Sequence, residues 1–174
     1  DTVTVNVTIT PQPDPPSAGP DSYPADENSV LNVPADGVLG NDTDPDFSNG
    51  DTISVSAYDA TSAVGATVSV GTNGSLTYDP TGSAVLQSLA VGDTNVDSFA
   101  YTVEDSTGLS ATGAVSITVT GVNDPPVSSN DVGSVDEDNV LTTAPKVLDN
   151  DFDVDTGDTF NISASDTNSA AGAA

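Results

Sequence analysis

The sequence predicts an all-β fold built from short strands. Valine, isoleucine and threonine alternate in several runs, of which Val3–Thr10 and Val115–Thr120 are the clearest. Such alternation places apolar side chains on one face of a strand and polar ones on the other. Glycine, proline, asparagine and aspartate separate the runs, as turn-forming residues do. High charge with few aromatics can indicate disorder, but this regular pattern argues for folded sheets.

The first element is a half-buried strand over Val3–Thr10, because its valines and isoleucine all fall on one face. A proline-rich stretch, Pro11–Pro16, then ends the strand. Proline has no N–H to donate to a sheet, and a proline cluster stiffens the chain in an extended form. We interpret this stretch as a linker between domains.

The residues after the linker contain the strands of a complete domain. In chain order these strands are predicted at Ser29–Val33, Thr52–Tyr58, Ala66–Val70, Ser75–Tyr78, Asp97–Glu104 and Leu109–Thr120. The turn Gly71–Gly74 joins two of them as a hairpin, since Asn-Gly accepts a positive φ. About seven strands in about 110 residues fit an immunoglobulin-like Greek-key β-sandwich. A barrel is the alternative.

The core of this domain is predicted from the apolar side of each strand. The side chains expected to face inward are Ile53, Val55 and Ala57 in one strand and Phe99, Tyr101 and Val103 in another. Residues 80–92 lack a strand pattern, and we expect them to cap one end of the core with Leu86, Leu89 and Val91.

The chain contains an internal repeat. The strand and linker at its start recur after Val115, and Asp14 corresponds to Asp124 at a shift of about 110 residues. Glu27 and Glu137 correspond at the same shift. The repeat divides the chain into the last strand of one unit (1–12), a complete sandwich (13–122) and the first part of a next unit (123–174), so we expect sandwich repeats in tandem.

Two acidic stretches are the most informative part of the sequence. The first acidic loop, residues 41–51, carries alternating Asp42, Asp44 and Asp46, and the second acidic loop, residues 150–158, repeats the pattern. Carboxylates this close repel one another unless a cation lies among them. No lysine or arginine is nearby, so the cation has to come from solution, and oxygen ligands of this kind favour Ca²⁺. The alternative is a pair of solvated acidic loops.

Composition excludes several classes of function. The formal net charge is −26 with Lys146 as the sole basic residue, which disfavours binding to nucleic acid or to anionic membranes. No apolar run is long enough for a membrane span. Cysteine and histidine are absent, so disulfides and a zinc site of the usual kind are excluded. Paired carboxylates could serve a glycosidase, but the other common catalytic side chains are missing, and we predict no enzyme.

Several stretches of the sequence, taken together, resemble a known family. The stretches that carry the resemblance are Val38–Asp46, Leu89–Asp93, Asp97–Asp105, Val115–Thr120 and Gly121–Pro126. Their order and spacing are similar to the VCBS repeat, a cadherin-like tandem repeat of large secreted bacterial adhesins. The resemblance implies calcium-rigidified extender domains, outside the cell or at its surface, that hold an adhesive tip away from the cell or build biofilm matrix.

The resemblance also implies where the Ca²⁺ ligands lie, namely at the junctions between successive domains. At the junction inside this chain they would be Glu27, Asp97, Asn123, Asp124, Asp151, Asp153 and Asp155. At the upstream junction they would be Asp14, Asp42, Asp44, Asp46 and Asp105. The sequence departs from the pattern at Pro13, which stands where the second linker has Asn123, and at Phe47–Gly50, which lengthens the first acidic loop and leaves Asp51 out of the predicted set.

The function predicted from these features is that of a structural extender segment in a secreted adhesin or extracellular filament, whose partners are neighbouring repeats of the same protein. One alternative is a calcium-dependent glycan-binding module, although no tryptophan is available to stack on a sugar. Another is a filament subunit that self-associates by strand exchange through unpaired sheet edges.

Overall fold

The computed structural model describes residues 3–8, 10, 12–139, 147–159 and 161–165. These residues form seven strands, β1 (Asp21–Asp26), β2 (Leu31–Val33), β3 (Ile53–Tyr58), β4 (Thr67–Val70), β5 (Leu76–Asp79), β6 (Thr94–Asp105) and β7 (Ser110–Thr120), with 3₁₀ turns at Gly37–Leu39 and Phe47–Asn49. Within these ranges there is no helix that could cross a membrane. Ile9 and Pro11 of the predicted strand and linker, and Lys146, lie outside them.

The strands form two sheets that pack face to face. One sheet has the order β1-β7-β6-β3 and the other has the order β2-β5-β4. All neighbours are antiparallel except β1, which runs parallel to β7. The chain crosses between the sheets after β1, β2, β3 and β5, as in an immunoglobulin-like sandwich. The predicted fold class is therefore confirmed.

The core lies between the sheets and follows the alternation of the strands. Phe99, Tyr101 and Val103 of β6 are buried, as predicted, and they pack in one cluster with Tyr78 and Ile117. Burying side chains of this size is the main favourable term in folding, at about 1.5–3 kcal/mol for each large apolar group. The sandwich is thus stabilised by its own core.

The predicted hairpin turn and the predicted cap of the core are both present, with one exception. Gly74 ends the turn with φ +82°, a conformation that glycine adopts without strain. In residues 80–92, Leu86 is buried and Leu89 packs partly against the core. Val91, however, is 68% exposed, because the chain turns outward there toward Gly92, which also has a positive φ.

Three further features differ from the sequence-based expectations. β1 was missed because Asp21–Asp26 lacks alternation and contains Pro24, which only an edge strand tolerates. Ala57 is exposed rather than inward, because a bulge between Val55 and Ala57 shifts the register of β3. The predicted strand Val3–Thr10 has no strand pairing in the residues described, and its valines are exposed, since a single strand without a neighbour has nothing to bond to.

Candidate metal centre

Three carboxylates from distant parts of the chain meet at one end of the sandwich. Glu27 follows the end of β1, Asp124 follows the end of the parallel strand β7, and Asp155 comes from the second acidic loop. One oxygen of each lies within 4.8 Å of the others. We call this group the junction cluster, because it joins the sandwich, the linker after β7 and the loop beyond it.

Each carboxylate of the junction cluster has a buried oxygen without a hydrogen-bond partner. These oxygens are Glu27 Oε2, Asp124 Oδ2 and Asp155 Oδ1. Glu27 is fully buried and Asp155 is 4% exposed. Burial raises the pKa of Glu27 above its ordinary value, and the charges of Asp124 and Asp155 raise it further. Unpaired buried carboxylate oxygens are costly, and a hard cation among them would remove that cost.

The other oxygen of these carboxylates is held by the protein. Val122 N–H donates to Glu27 Oε1 at 2.6 Å, and Asp124 N–H donates to Asp155 Oδ2 at 2.8 Å. The Asn28 side chain donates to Asp124 Oδ1 at 3.1 Å. One oxygen of each group is therefore used for orientation, while the second remains available as a ligand. This division suits Ca²⁺, which takes several oxygens from flexible surroundings.

A second group of carboxylates lies at the opposite end of the sandwich. Asp44, Asp46 and Asp51 of the first acidic loop have ligand atoms within 4.8 Å of one another, and we call them the first-loop cluster. Asp51 lies just before β3, which begins opposite the end of β6. Asp44 is 6% exposed, and its Oδ2 is buried without a partner. Asp46 N–H donates to Asp44 Oδ1 at 2.7 Å, which leaves Oδ2 as the free atom.

Asp51 joins this cluster although the lengthened loop had excluded it from the prediction. The loop folds back through Gly50, whose φ of +93° reverses the chain. Asp51 Oδ1 then accepts hydrogen bonds from the Ser106 hydroxyl and backbone N–H, and the Ser106 hydroxyl is the main reason why the pKa of Asp51 is lowered. Asp105 directly precedes Ser106. Its Oδ1 accepts hydrogen bonds from the N–H groups of Thr107 and Leu109, whereas its Oδ2 is buried without a partner.

The hydrogen bonds between residues 14–19 and the first acidic loop recur between residues 124–129 and the second acidic loop. Asp14 N–H donates to Asp46 Oδ2 at 2.8 Å, as Asp124 N–H does to Asp155. The isolated bridge between Ser17 and Thr43 recurs between Val127 and Phe152. The corresponding bonds from Gly19 to Asp42 and from Ser129 to Asp151 are both 2.8 Å long. The two acidic loops thus share a local structure.

Asp42 and Asp97, both in the predicted ligand set, lie in neither cluster. Asp42 is buried against Tyr101, whose hydroxyl is 3.0 Å from each of its oxygens. Asp97 accepts bonds from the backbone N–H groups of Val64 and Ser98 and, at 2.7 Å, from the Tyr78 hydroxyl. Both carboxylates accept hydrogen bonds from tyrosines of the core. The alternation of charged residues in the sequence does not reveal these contacts.

The remaining predicted ligands lie beside the clusters. Asp153 Oδ1 accepts a bond from Asp155 N–H at 3.0 Å, and Asp151 accepts the bond from Ser129 described above. Asn123 is exposed and donates its amide to the Asp124 carbonyl at 2.8 Å. Asp14 is exposed and touches the first-loop cluster through its backbone N–H. These residues support the loop geometry around the clustered oxygens.

A buried pair of acids, Asp21 and Asp42, gives a prediction for pH. Burial, followed by the charge of Asp42, raises the pKa of Asp21 from 3.8 to about 6. Between these two pKa values the folded state binds more protons than the unfolded state. The free energy of unfolding therefore increases as pH falls from 7 to 4, and this gain is lost as pH rises through 6. Urea unfolding in chelator should show Asp21→Asn to be more stable than the unmodified chain at pH 7, with the difference shrinking at pH 4.5. An equal difference at both pH values would contradict this expectation.

The two-sheet sandwich, with buried carboxylates at its ends, defines the class of cadherin-like modules. Such modules are generally calcium-binding, usually extracellular, and structural or adhesive rather than enzymatic. The family model described as the bacterial cadherin-like domain matches residues 13–121, and the chain belongs to that family. No curated protein matches the sequence. Membership in this family points to an adhesin-type extracellular module.

The carboxylates present fit the Ca²⁺ that this family implies. The free oxygens are hard donors, they converge at two places, and several are buried without a proton donor. No lysine or arginine of the described residues could neutralise them, since the single basic residue of the chain is Lys146. Glu27, Asp124 and Asp155 would hold one ion, and Asp44, Asp46 and Asp51 another.

Proposed function

We propose that the chain is a calcium-rigidified extender segment of a secreted, repetitive adhesin or extracellular filament, acting in cell adhesion or in a biofilm matrix. One observation carries the proposal: the free oxygens of the junction cluster come from the sandwich, from the linker and from the acidic loop beyond it. An ion held by all three would fix the linker. Its partners are neighbouring copies of the same unit, and residues 123–174 begin the next one.

The positions of the two clusters support this function. The junction cluster lies where β1 and β7 end, whereas Asp51 and Asp105 lie at the opposite end of the same sheet, because β6 is antiparallel to β7. A module with a metal-binding end on each side can be joined to a neighbour at both ends. Repetition of such a module gives a rod, whose length depends on the number of copies.

Calcium would also determine when the rod becomes stiff. Extracellular calcium modules bind with a Kd of roughly 10⁻⁴–10⁻³ M. Their sites would be mostly empty inside a cell and mostly filled outside it. In the empty state the clustered carboxylates repel one another over about 8 Å at physiological salt. The chain would therefore leave the cell with flexible linkers and stiffen after export.

The decisive experiment measures the junction directly. The chain has no cysteine, so spin labels can be attached at Ser69→Cys on β4 and Asp149→Cys near the second acidic loop. Calcium is expected to narrow the distribution of distances between the labels, and chelator to broaden it. The same pair in an Asp155→Asn chain serves as the control and should stay broad. Distributions of equal width with calcium and chelator would refute the extender function.

A further inference from the structure

Residues 80–92, which we call loop 80–92, contact the backbone of Glu27, the buried carboxylate of the junction cluster. The Gln87 side-chain amide donates to the Glu27 carbonyl oxygen at 2.6 Å. On the other side, Glu27 N–H donates to the Thr120 carbonyl at 3.1 Å. The Glu27 backbone is thus held at both of its polar groups, and only the direction of its side chain remains to be set.

Loop 80–92 is itself firmly placed. Leu86 is fully buried in the core, and Gln87 N–H donates to the Ser83 carbonyl at 2.9 Å. The loop also presses on the chain next to the site: the carbonyl oxygens of Leu89 and Ala90 occupy the space that a side chain at Gly121 would need. Gly121 precedes Val122, the residue whose N–H orients the Glu27 carboxylate. The loop therefore fixes both the ligand and the donor that aims it.

The same loop contacts the second acidic loop directly. Thr156 N–H donates to the Ser88 carbonyl oxygen at 3.1 Å. Thr156 is the neighbour of Asp155, so this bond helps to fix the position of Asp155 relative to the sandwich. It joins two neutral backbone groups and does not depend on a cation. The net contribution of such a hydrogen bond to stability corresponds to a factor of roughly five in the equilibrium constant between its closed and open states.

We propose that Gln87 is a positioning residue of the junction cluster and that Gln87 and Ser88 form a clasp, independent of metal, that holds Glu27 and the second acidic loop in register before an ion binds. This inference rests on the proposed calcium site. Gln87 touches no ligand oxygen of the cluster; it acts through the Glu27 backbone. The clasp is weak enough to open, so the empty linker still samples many arrangements, but it favours the calcium-bound one, and less ordering is needed when calcium enters.

Calorimetric titration with calcium tests the positioning role. The titration is done in an Asp44→Asn, Asp51→Asn background, which leaves the junction as the remaining cluster. Gln87→Leu, of similar size but without the donor, is expected to weaken calcium binding about fivefold. The matched control Val85→Ala, an exposed change in the same loop, should leave the affinity unchanged. Calcium binding at the first-loop cluster, measured in an Asp155→Asn background, should be the same with and without the Gln87→Leu change.

Amide hydrogen exchange in chelator tests the clasp. The Thr156 amide is expected to exchange more slowly in the unmodified chain than in Gln87→Leu. Unprotected exchange of Thr156 without calcium would overturn the clasp, and equal junction affinities for the unmodified and Gln87→Leu chains would overturn the positioning role. Absence of any calcium binding by the unmodified chain would instead overturn the proposed function, and the positioning role with it.

Discussion

Calcium at a hundredfold excess over its Kd, which is roughly 10–100 mM for a Kd of 10⁻⁴–10⁻³ M, is expected to raise the midpoint of thermal unfolding of the chelated chain by about 10 °C. At a hundredfold excess over Kd, one site that binds only the folded state adds about 2.7 kcal/mol. A domain of about 110 residues gains roughly 4 °C for each kcal/mol. The effect should be large because four oxygens of the two clusters, in Glu27, Asp44, Asp124 and Asp155, are buried without partners.

The measurement is a pair of calorimetric melts, with calcium and with chelator, at fixed ionic strength. Magnesium at the same concentration is the control, because it prefers a rigid octahedral shell and retains its waters. Magnesium should give only the modest rise expected from general screening of a charge of −26. Equal shifts with both ions would mean that the acidic loops are merely screened and that neither cluster is a calcium site.

Glu27→Gln is expected to act in opposite directions with and without calcium. In chelator the variant should be more stable than the unmodified chain by about 1 kcal/mol, because it removes a buried charge while the amide oxygen of the new side chain can still accept the bond from Val122 N–H. With calcium at a hundredfold excess over Kd it should be less stable, because the ion loses a charged ligand, and a roughly hundredfold loss of affinity removes about 2.3 of the 2.7 kcal/mol that the ion adds. A purely structural role for Glu27 could not give this change of sign.

The matched control for this variant is Glu137→Gln. Glu137 corresponds to Glu27 at the repeat shift, but it is exposed. The same chemical change there should leave both melting temperatures within about 1 °C. If Glu27→Gln destabilises the chain equally in calcium and in chelator, the residue is part of the packing around Val122, and the junction cluster is not a metal site.

The fold could be predicted because most strands are half buried, and half-buried strands alternate. β6 and β7 show this clearly, and the inward residues of β6 were identified from the sequence. β1 could not be found this way, since Pro24 and its flanking aspartates resemble a loop. Only the parallel pairing with β7, a contact between residues far apart in sequence, makes it a strand.

The candidate site was only partly predictable for a similar reason. Charge spacing indicated Asp44, Asp46 and Asp155, because repulsion between close carboxylates is a local property of the sequence. It could not distinguish them from Asp42, whose partner Tyr101 lies far away in the sequence, on β6. It also could not find Gln87, since nothing in the composition of that loop shows that it reaches the Glu27 backbone.

The edges of both sheets carry a further consequence if the sandwich is repeated in tandem, as proposed. β1 contains Pro24, β3 is bulged, and β2 and β4 are only three and four residues long. Each of these features makes an edge a poor template for another strand. Tethered copies face one another at high effective concentration, where neighbouring units can exchange strands and misfold together. The blunted edges therefore favour independent folding of each unit as it emerges, so that length can be gained by duplication without a growing risk of aggregation.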